Sequence, residues 1–205
     1  MDISKYIDFT NLKADATTDD VKRLCAVARE RGYASVCVNS RYVSLCKKEL
    51  AGSGVKVACV VGFPLGAAST AAKAFEAKKA VEDGADEIDT VIAVGAVKER
   101  DFGYVEEDVR AVVACGATVK VILETCLLTD EEIALASAAC ARAGADFVKT
   151  STGFSTGGAT LRAVEIMKAN CGNCGIKASG GIKDYDTATA FINAGASRIG
   201  TSTKL

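Results

Sequence analysis

The chain has 205 residues, 49% of them apolar, with 25 Lys and Arg against 26 Asp and Glu for a net charge of −1. That length suits a single domain, residues 1–205, with a large buried core. The balanced charge excludes a broad electrostatic surface for nucleic acid or anionic membrane, but leaves room for a small phosphate site.

No apolar run reaches transmembrane length and no leader-like stretch follows Met1, so a cytoplasmic protein with no membrane partner is expected. Nine cysteines, an odd number, include Cys37 in Ser35-Val36-Cys37-Val38 and Cys59 in Val57-Ala58-Cys59-Val60. Such cysteines read as small buried hydrophobes of a reduced protein. Histidine is absent. Acid–base chemistry therefore falls to Lys, Asp, Glu, Tyr, Cys or water, and the commonest metal ligand is missing.

In chain order, a first strand is predicted near Ile7 and a helix from Thr18 to Arg31, with Thr18 as N-cap. Arg31-Gly32-Tyr33-Ala34 then leads into a strand near Val36, and a third strand lies near Val57. A helix from Ala68 to Asp83 is followed by Asp83-Gly84-Ala85-Asp86 and a strand near Ile88. Cys115-Gly116-Ala117 precedes a strand near Val121. Thr129 caps a helix to Arg142, after which Ala143-Gly144-Ala145-Asp146 opens a strand near Val148. A strand near Ile176, a helix from Tyr185 to Asn193 capped by Asp184, and Ala194-Gly195-Ala196 before a strand near Ile199 complete the series. The recurring unit is a helix, a glycine suited to the left-handed position that ends it, and a short β-branched run typical of a buried strand.

Eight such strands alternating with helices predict an α/β fold, a compact (β/α)₈ TIM barrel. Little sequence follows the last strand, so the eighth helix is expected to be missing or truncated. A doubly wound open sheet is the alternative.

Charges inside apolar strands mark the candidate chemistry: Asp89, Lys120, Lys149 and Lys177. A buried lysine loses proton affinity, and a second cation beside it deepens the effect, which leaves a nucleophilic amine near neutral pH. Lys149 and Lys177 fall on the predicted sixth and seventh strands, roughly 5 Å apart, and are expected to depress each other's proton affinity. Asp89 supplies a carboxylate across the same mouth. Pattern alone does not say which of the two lysines reacts. Lys120 is expected to point between barrel and helices and reach water along its stem.

Three loops follow the last strands: Thr150-Ser151-Thr152-Gly153-Phe154-Ser155, Ala178-Ser179-Gly180-Gly181-Ile182 and Ile199-Gly200-Thr201-Ser202-Thr203. Loops in these places hold phosphate through backbone N–H groups, and their small formal charge assigns most of the binding to those amides. Cys171-Gly172-Asn173-Cys174 lacks the further ligands a zinc site needs and falls on the face away from the chemistry.

Seven segments carry a resemblance: Ile7-Asp8-Phe9-Thr10-Asn11-Leu12-Lys13, Val61-Gly62-Phe63-Pro64-Leu65-Gly66, Gly84-Ala85-Asp86-Glu87-Ile88-Asp89, Val119-Lys120-Val121-Ile122-Leu123-Glu124-Thr125, Gly144-Ala145-Asp146-Phe147-Val148-Lys149-Thr150-Ser151-Thr152-Gly153-Phe154, Ile176-Lys177-Ala178-Ser179-Gly180-Gly181-Ile182 and Arg198-Ile199-Gly200-Thr201-Ser202. In this order and spacing the chain resembles the deoxyribose-phosphate aldolase family of class I, Schiff-base aldolases. The resemblance implies reversible cleavage of 2-deoxy-D-ribose 5-phosphate to glyceraldehyde 3-phosphate and acetaldehyde, in deoxyribose catabolism. It implies Lys149 as the Schiff-base lysine, Lys177 as the lysine that lowers its proton affinity, and Asp89 as a proton carrier acting through water. Gly153, Gly180, Gly181, Gly200 and Ser202 would hold the phosphate, and Asp8 and Thr10 would line the sugar site. No metal or organic cofactor is implied, since the imine is itself the electron sink.

Two departures stand out: Phe9 replaces a histidine found in many relatives, and little chain follows the last phosphate loop. The expected partners are small phosphosugars and aldehydes, with a homo-oligomer, in the first instance a dimer, as the macromolecular association. The competing readings are a Schiff-base aldolase with a ketone donor, a non-catalytic phosphosugar-binding barrel, and a cofactor-free isomerase or epimerase, which would not need the lysine pair.

Overall fold

Each glycine stop does what the repeat requires. In the computed structural model, which describes residues 1–205, Gly32, Gly84, Gly116, Gly144 and Gly195 take φ of +62°, +107°, +81°, +88° and +117°. An L side chain is strained there, whereas glycine is not. The chain leaves each helix and turns at once into a strand.

The strands are β1 (Ile7–Asn11), β2 (Ser35–Val38), β3 (Lys56–Val61), β4 (Glu87–Val91), β5 (Thr118–Ile122), β6 (Phe147–Lys149), β7 (Gly175–Ser179) and β8 (Arg198–Thr201). They run parallel in sequence order, and β8 pairs with β1 through Ile7 with Ile199 and Asp8 with Gly200. That pairing closes a (β/α)₈ barrel and removes the open-sheet alternative.

The helices are α1 (Thr18–Arg31), α2 (Val43–Glu49), α3 (Thr70–Glu82), α4 (Val94–Lys98), α5 (Phe102–Val113), α6 (Asp130–Arg142), α7 (Leu161–Asn170) and α8 (Tyr185–Ala194). The number eight is reached because β4 is followed by two helices. Residues 202–205, after β8, form no helix.

The phrase Gly-Ala-Asp has a second function that its glycine does not reveal. The Asp86 carboxylate accepts from the Val57 amide at 2.9 Å, and the Asp146 carboxylate accepts from the Val119 amide at 2.8 Å. Each aspartate thus caps the start of a neighbouring strand, as Ser197 Oγ does for Ile176 at 3.3 Å. The repeat fixes register as well as ending a helix.

Helix starts follow side-chain chemistry. Thr129 and Glu132 form a reciprocal cap on α6, and Asp184 accepts from Thr187 at the start of α8. The cap of α1 is Thr17, one residue before the expected Thr18, because Thr17 has Asp20 three residues on to return the bond. Thr18 would have Val21 in that place. Likewise α3 begins at Thr70, two residues after the expected Ala68, because the Ser69 hydroxyl caps it.

The main apolar core lies between strands and helices. A small second cluster, Leu12, Cys37, Ala58 and Val60, fills one side of the barrel interior. Charged side chains fill the other. All nine cysteines are free. Cys171 and Cys174 occupy the turn before β7, on the floor side, where their thiols donate to the carbonyls of Cys174 and Ala145 at 3.4 and 3.0 Å.

Removing a carboxylate that caps a strand amide should cost about 1–3 kcal/mol. Asp86→Ala is expected to lower the unfolding free energy by that amount in urea titration. Lys47→Ala, which removes only the partly exposed ion pair on the same carboxylate, should cost under about 1 kcal/mol.

Candidate active site

The C-terminal ends of the strands surround a cavity of about 620 Å³. Lys149 closes its floor, Thr10 stands on its wall, and Gly153, Gly180, Gly181, Gly200 and Ser202 rim it. These expected site residues, drawn from β1, β6, β7 and β8 and the loops that follow, therefore meet around one space. Gly200 also permits the packing beneath it, since a Cβ there would stand 3.1 Å from Lys177 Cε. Phe9 borders the cavity and packs edge-on against Tyr33 at 5.5 Å. Phe154, which also lines it, packs edge-on against Phe63 at 5.2 Å.

Asp89 and Lys177 lie one layer deeper, fully buried. The Asp89 carboxylate accepts from Lys149 at 2.8 Å and Lys177 at 2.7 Å through Oδ2, and from Lys120 at 2.8 Å through Oδ1. Lys177 also reaches Asp8 at 2.5 Å. Lys120 reaches Glu87 at 2.5 Å and stands 3.7 Å from Asp8. Arg198 binds Asp8 at 2.5 Å and Glu87 at 2.9 Å. The barrel interior thus holds four cationic side chains, Lys120, Lys149, Lys177 and Arg198, against three carboxylates, Asp8, Glu87 and Asp89.

A buried network with one surplus cation is costly, and shedding one proton balances it. Contacts decide which group sheds it. Arg198 does not deprotonate. Lys177 has two close carboxylates and Lys120 has two with a third nearby, whereas Lys149 has only Asp89, already shared. Burial is the largest influence on Lys149 and drives its proton affinity down, Asp89 opposes it, and the Lys177 charge drives it down further. Burial also disfavours charge on Lys177 and Lys120, but their carboxylates more than offset it and both are held above the ordinary lysine value. Asp89 and Asp8 go the other way: burial raises them, and the surrounding lysines outweigh it and hold both below the usual carboxylate range.

The structure corrects several expectations. Lys177 and Lys149 do not depress each other equally, because Asp8 and Asp89 keep Lys177 charged. Lys120 does not run out between barrel and helices; it points inward, fully buried among carboxylates. Asp8 does not line the cavity; it is fully buried below it, held by Lys177 and Arg198. The cavity is also more positive than its loops alone suggest. Besides Lys149, the side chains of Lys13, Arg23, Lys183 and Lys204 line it against a single acid, Asp20. Lys13 and Arg23 come from sequence distant from those loops, and Glu87 and Arg198 sit at strand starts, so the loop and strand-end signals passed over them.

Comparison with known proteins points one way. Residues 3–203 match a family model described as DeoC/LacD family aldolase. The chain is 56% identical to the deoxyribose-phosphate aldolase of Finegoldia magna, over 98% of this chain and 96% of that protein. Among solved structures, an aldolase called QR15 is 43% identical with a TM-score of 0.95, covering 99% of this chain and 92% of that one. The deoxyribose phosphate aldolase of Aeropyrum pernix, described as a tetramer, is 36% identical with a TM-score of 0.91, covering 98% of this chain and 87% of that one.

Asp8 and Asp89 have folded-state affinities below their unfolded ones, so their contribution to stability is complete above the unfolded pKa, about 4, and is lost as pH falls below it. Thermal melting is expected to change little from neutral pH to pH ~5 and to fall below pH ~4. Asp89→Asn should destabilise at neutral pH by about 3–5 kcal/mol and should show a shallower fall in acid than the parent chain.

Proposed function

The chain belongs to the DeoC/LacD aldolase family, and from that premise we propose that it reversibly cleaves 2-deoxy-D-ribose 5-phosphate to D-glyceraldehyde 3-phosphate and acetaldehyde through a Schiff base on Lys149. The observation that carries this reading is that Lys149 is the one amine of the buried network on the cavity wall, and the one whose proton affinity is driven down. An ordinary lysine, with a pKa of about 10.4, is almost wholly protonated at neutral pH and cannot attack a carbonyl. A buried amine with one shared carboxylate can.

The free amine of Lys149 adds to C1 of the open-chain sugar and loses water to give an iminium. Loss of the C3 hydroxyl proton forms the C3 carbonyl. The C2–C3 bond breaks and its electrons pass to the iminium, leaving an enamine on Lys149. Protonation at C2 and hydrolysis release acetaldehyde and restore the amine. Asp89, 2.8 Å from Lys149 Nζ, serves this traffic through water. Held below the usual carboxylate range, it passes a proton on without retaining it. Lys177 stays charged beside Lys149 and opposes its protonation.

The phosphate is held by amides around Gly153, Gly180, Gly181, Gly200 and Ser202, and the surplus of cations around the cavity draws it in. Thr10 faces the sugar. No organic cofactor or metal enters this sequence of steps. Nine free thiols fit a reducing cytoplasm, and no helix is long and apolar enough to cross a membrane. A homo-oligomer is proposed, with a dimer as the smallest assembly.

Borohydride reduction with acetaldehyde, followed by peptide mass spectrometry, tests the reading. A two-carbon adduct on Lys149 is expected. An adduct confined to Lys120 or Lys177 would overturn the assignment, and no adduct in a folded chain that binds the phosphosugar would leave a binding protein. Lys177→Leu should move the pH–rate profile to higher pH and reduce cleavage at neutral pH about tenfold or more. An unmoved profile would remove Lys177 from its role.

A further inference from the structure

The ionic network continues below the lysines to the floor of the barrel. Arg198 opens β8 and Glu87 opens β4, strands on opposite sides of the closed order. Their side chains meet across the interior, with Arg198 Nη2 donating to Glu87 Oε1 at 2.9 Å and Nη1 to Oε2 at 3.1 Å. Nη1 also donates to Asp8 Oδ1 at 2.5 Å, and Glu87 Oε2 lies 2.5 Å from Lys120 Nζ. The guanidinium rests over the Phe147 ring at 5.6 Å. Gly175 makes room for that ring, since a Cβ there would stand 2.4 Å from it. Only 14% of the Arg198 side chain and 7% of that of Glu87 are exposed.

Neither residue borders the cavity, yet both belong to the same charge count as Lys149. We infer that Arg198 and Glu87 are positioning residues that set, from the floor of the barrel, whether Lys149 is a free amine.

Arg198 is permanently charged and offsets one of the three carboxylates. Two negative charges then remain for three lysines, so two lysines are protonated and the third, Lys149, is free. Without Arg198, three negative charges remain and all three lysines are protonated. With Glu87 made neutral, one remains, and Lys149 is more firmly free. The groups facing Lys149 are Asp89 from β4, Lys177 from β7 and Cys37 from β2. Lys120 of β5 and Asp8 of β1 lie one contact further on. Burial holds the Cys37 thiol up, so it is uncharged near neutrality. On the cavity side the charges are Lys13, Asp20, Arg23, Lys183 and Lys204.

This inference rests on the imine reading. The test is the pH profile of borohydride-trapped adduct on Lys149 with acetaldehyde as probe, in folded variants checked by circular dichroism. Arg198→Met should move the profile upward and Glu87→Gln should move it downward, each by about one pH unit or more, a tenfold change in free amine at fixed pH. Arg198→Lys keeps the charge and should keep the profile close to the parent. The double variant Arg198→Met with Glu87→Gln removes one charge of each sign and should return the profile to the parent position. It also keeps the test open if a single variant does not fold. Shifts of the two single variants in the same direction, no shift in either, or a displaced profile in the double variant would overturn the inference. Absence of any Lys149 adduct in the parent chain would overturn the imine reading instead, so the two failures are distinguishable.

Discussion

Moving a charge from water into a protein interior costs several kcal/mol unless a partner compensates it. The interior of this barrel gathers seven ionisable side chains into one network, four basic and three acidic. The surplus is the constraint on which the site depends. A balanced set would be an inert structural plug. With one cation too many, the group with the fewest carboxylates holds its proton least firmly, and its proton affinity is driven down. That group is Lys149, and it is also the one that touches the cavity. Reactivity and accessibility coincide because the carboxylates are concentrated below it.

The fold makes this distribution possible. In a closed barrel inward side chains meet across the interior, so Glu87 of β4 can meet Arg198 of β8 on the opposite side, and Asp8 of β1 can meet Lys177 of β7, the two strands that flank β8. An open sheet would put β1 and β8 at distant edges and break those contacts. Register matters equally, because a one-residue slip turns an inward residue outward. The aspartates of the Gly-Ala-Asp phrase, bonded to Val57 and Val119, hold strands β3 and β5 against such a slip, and β5 carries Lys120.

Much of this was legible in the sequence. Glycine stops before β-branched runs located β2, β4, β5, β6 and β8, and the apolar runs near Ile7, Val57 and Ile176 located the other three, because these signals are local. Lys149, Lys177 and Asp89 stood out as charges in apolar strands, and the structure brings them within hydrogen-bonding distance. What was not legible depends on partners far along the chain. The charge state of Lys177 is set by Asp8 and Asp89, 169 and 88 residues away by number. Lys120 was misjudged because its strand, Thr118-Val119-Lys120-Val121-Ile122, is buried on both faces and shows no alternation to mark the inner one. The positive cavity wall was missed for the same kind of reason, since Lys13 and Arg23 join it only once β1 closes against β8. Thr17 as the cap of α1 was legible in principle from Asp20, a signal that the adjacent threonine obscured.

On the function proposed above, the buried network carries one proton fewer than its basic groups could hold, and Lys149 is the group that lacks it. Carbon-13 NMR of the lysine Cε and its attached protons, followed across pH on the intact chain with Lys149→Arg to assign its signal, addresses that directly. The expected result is a Lys149 signal in the neutral position near neutral pH, with those of Lys120 and Lys177 remaining in the charged position into strongly alkaline solution. All three signals charged through pH ~9, close to ordinary lysine behaviour, or a neutral Lys177 beside a charged Lys149, would contradict it.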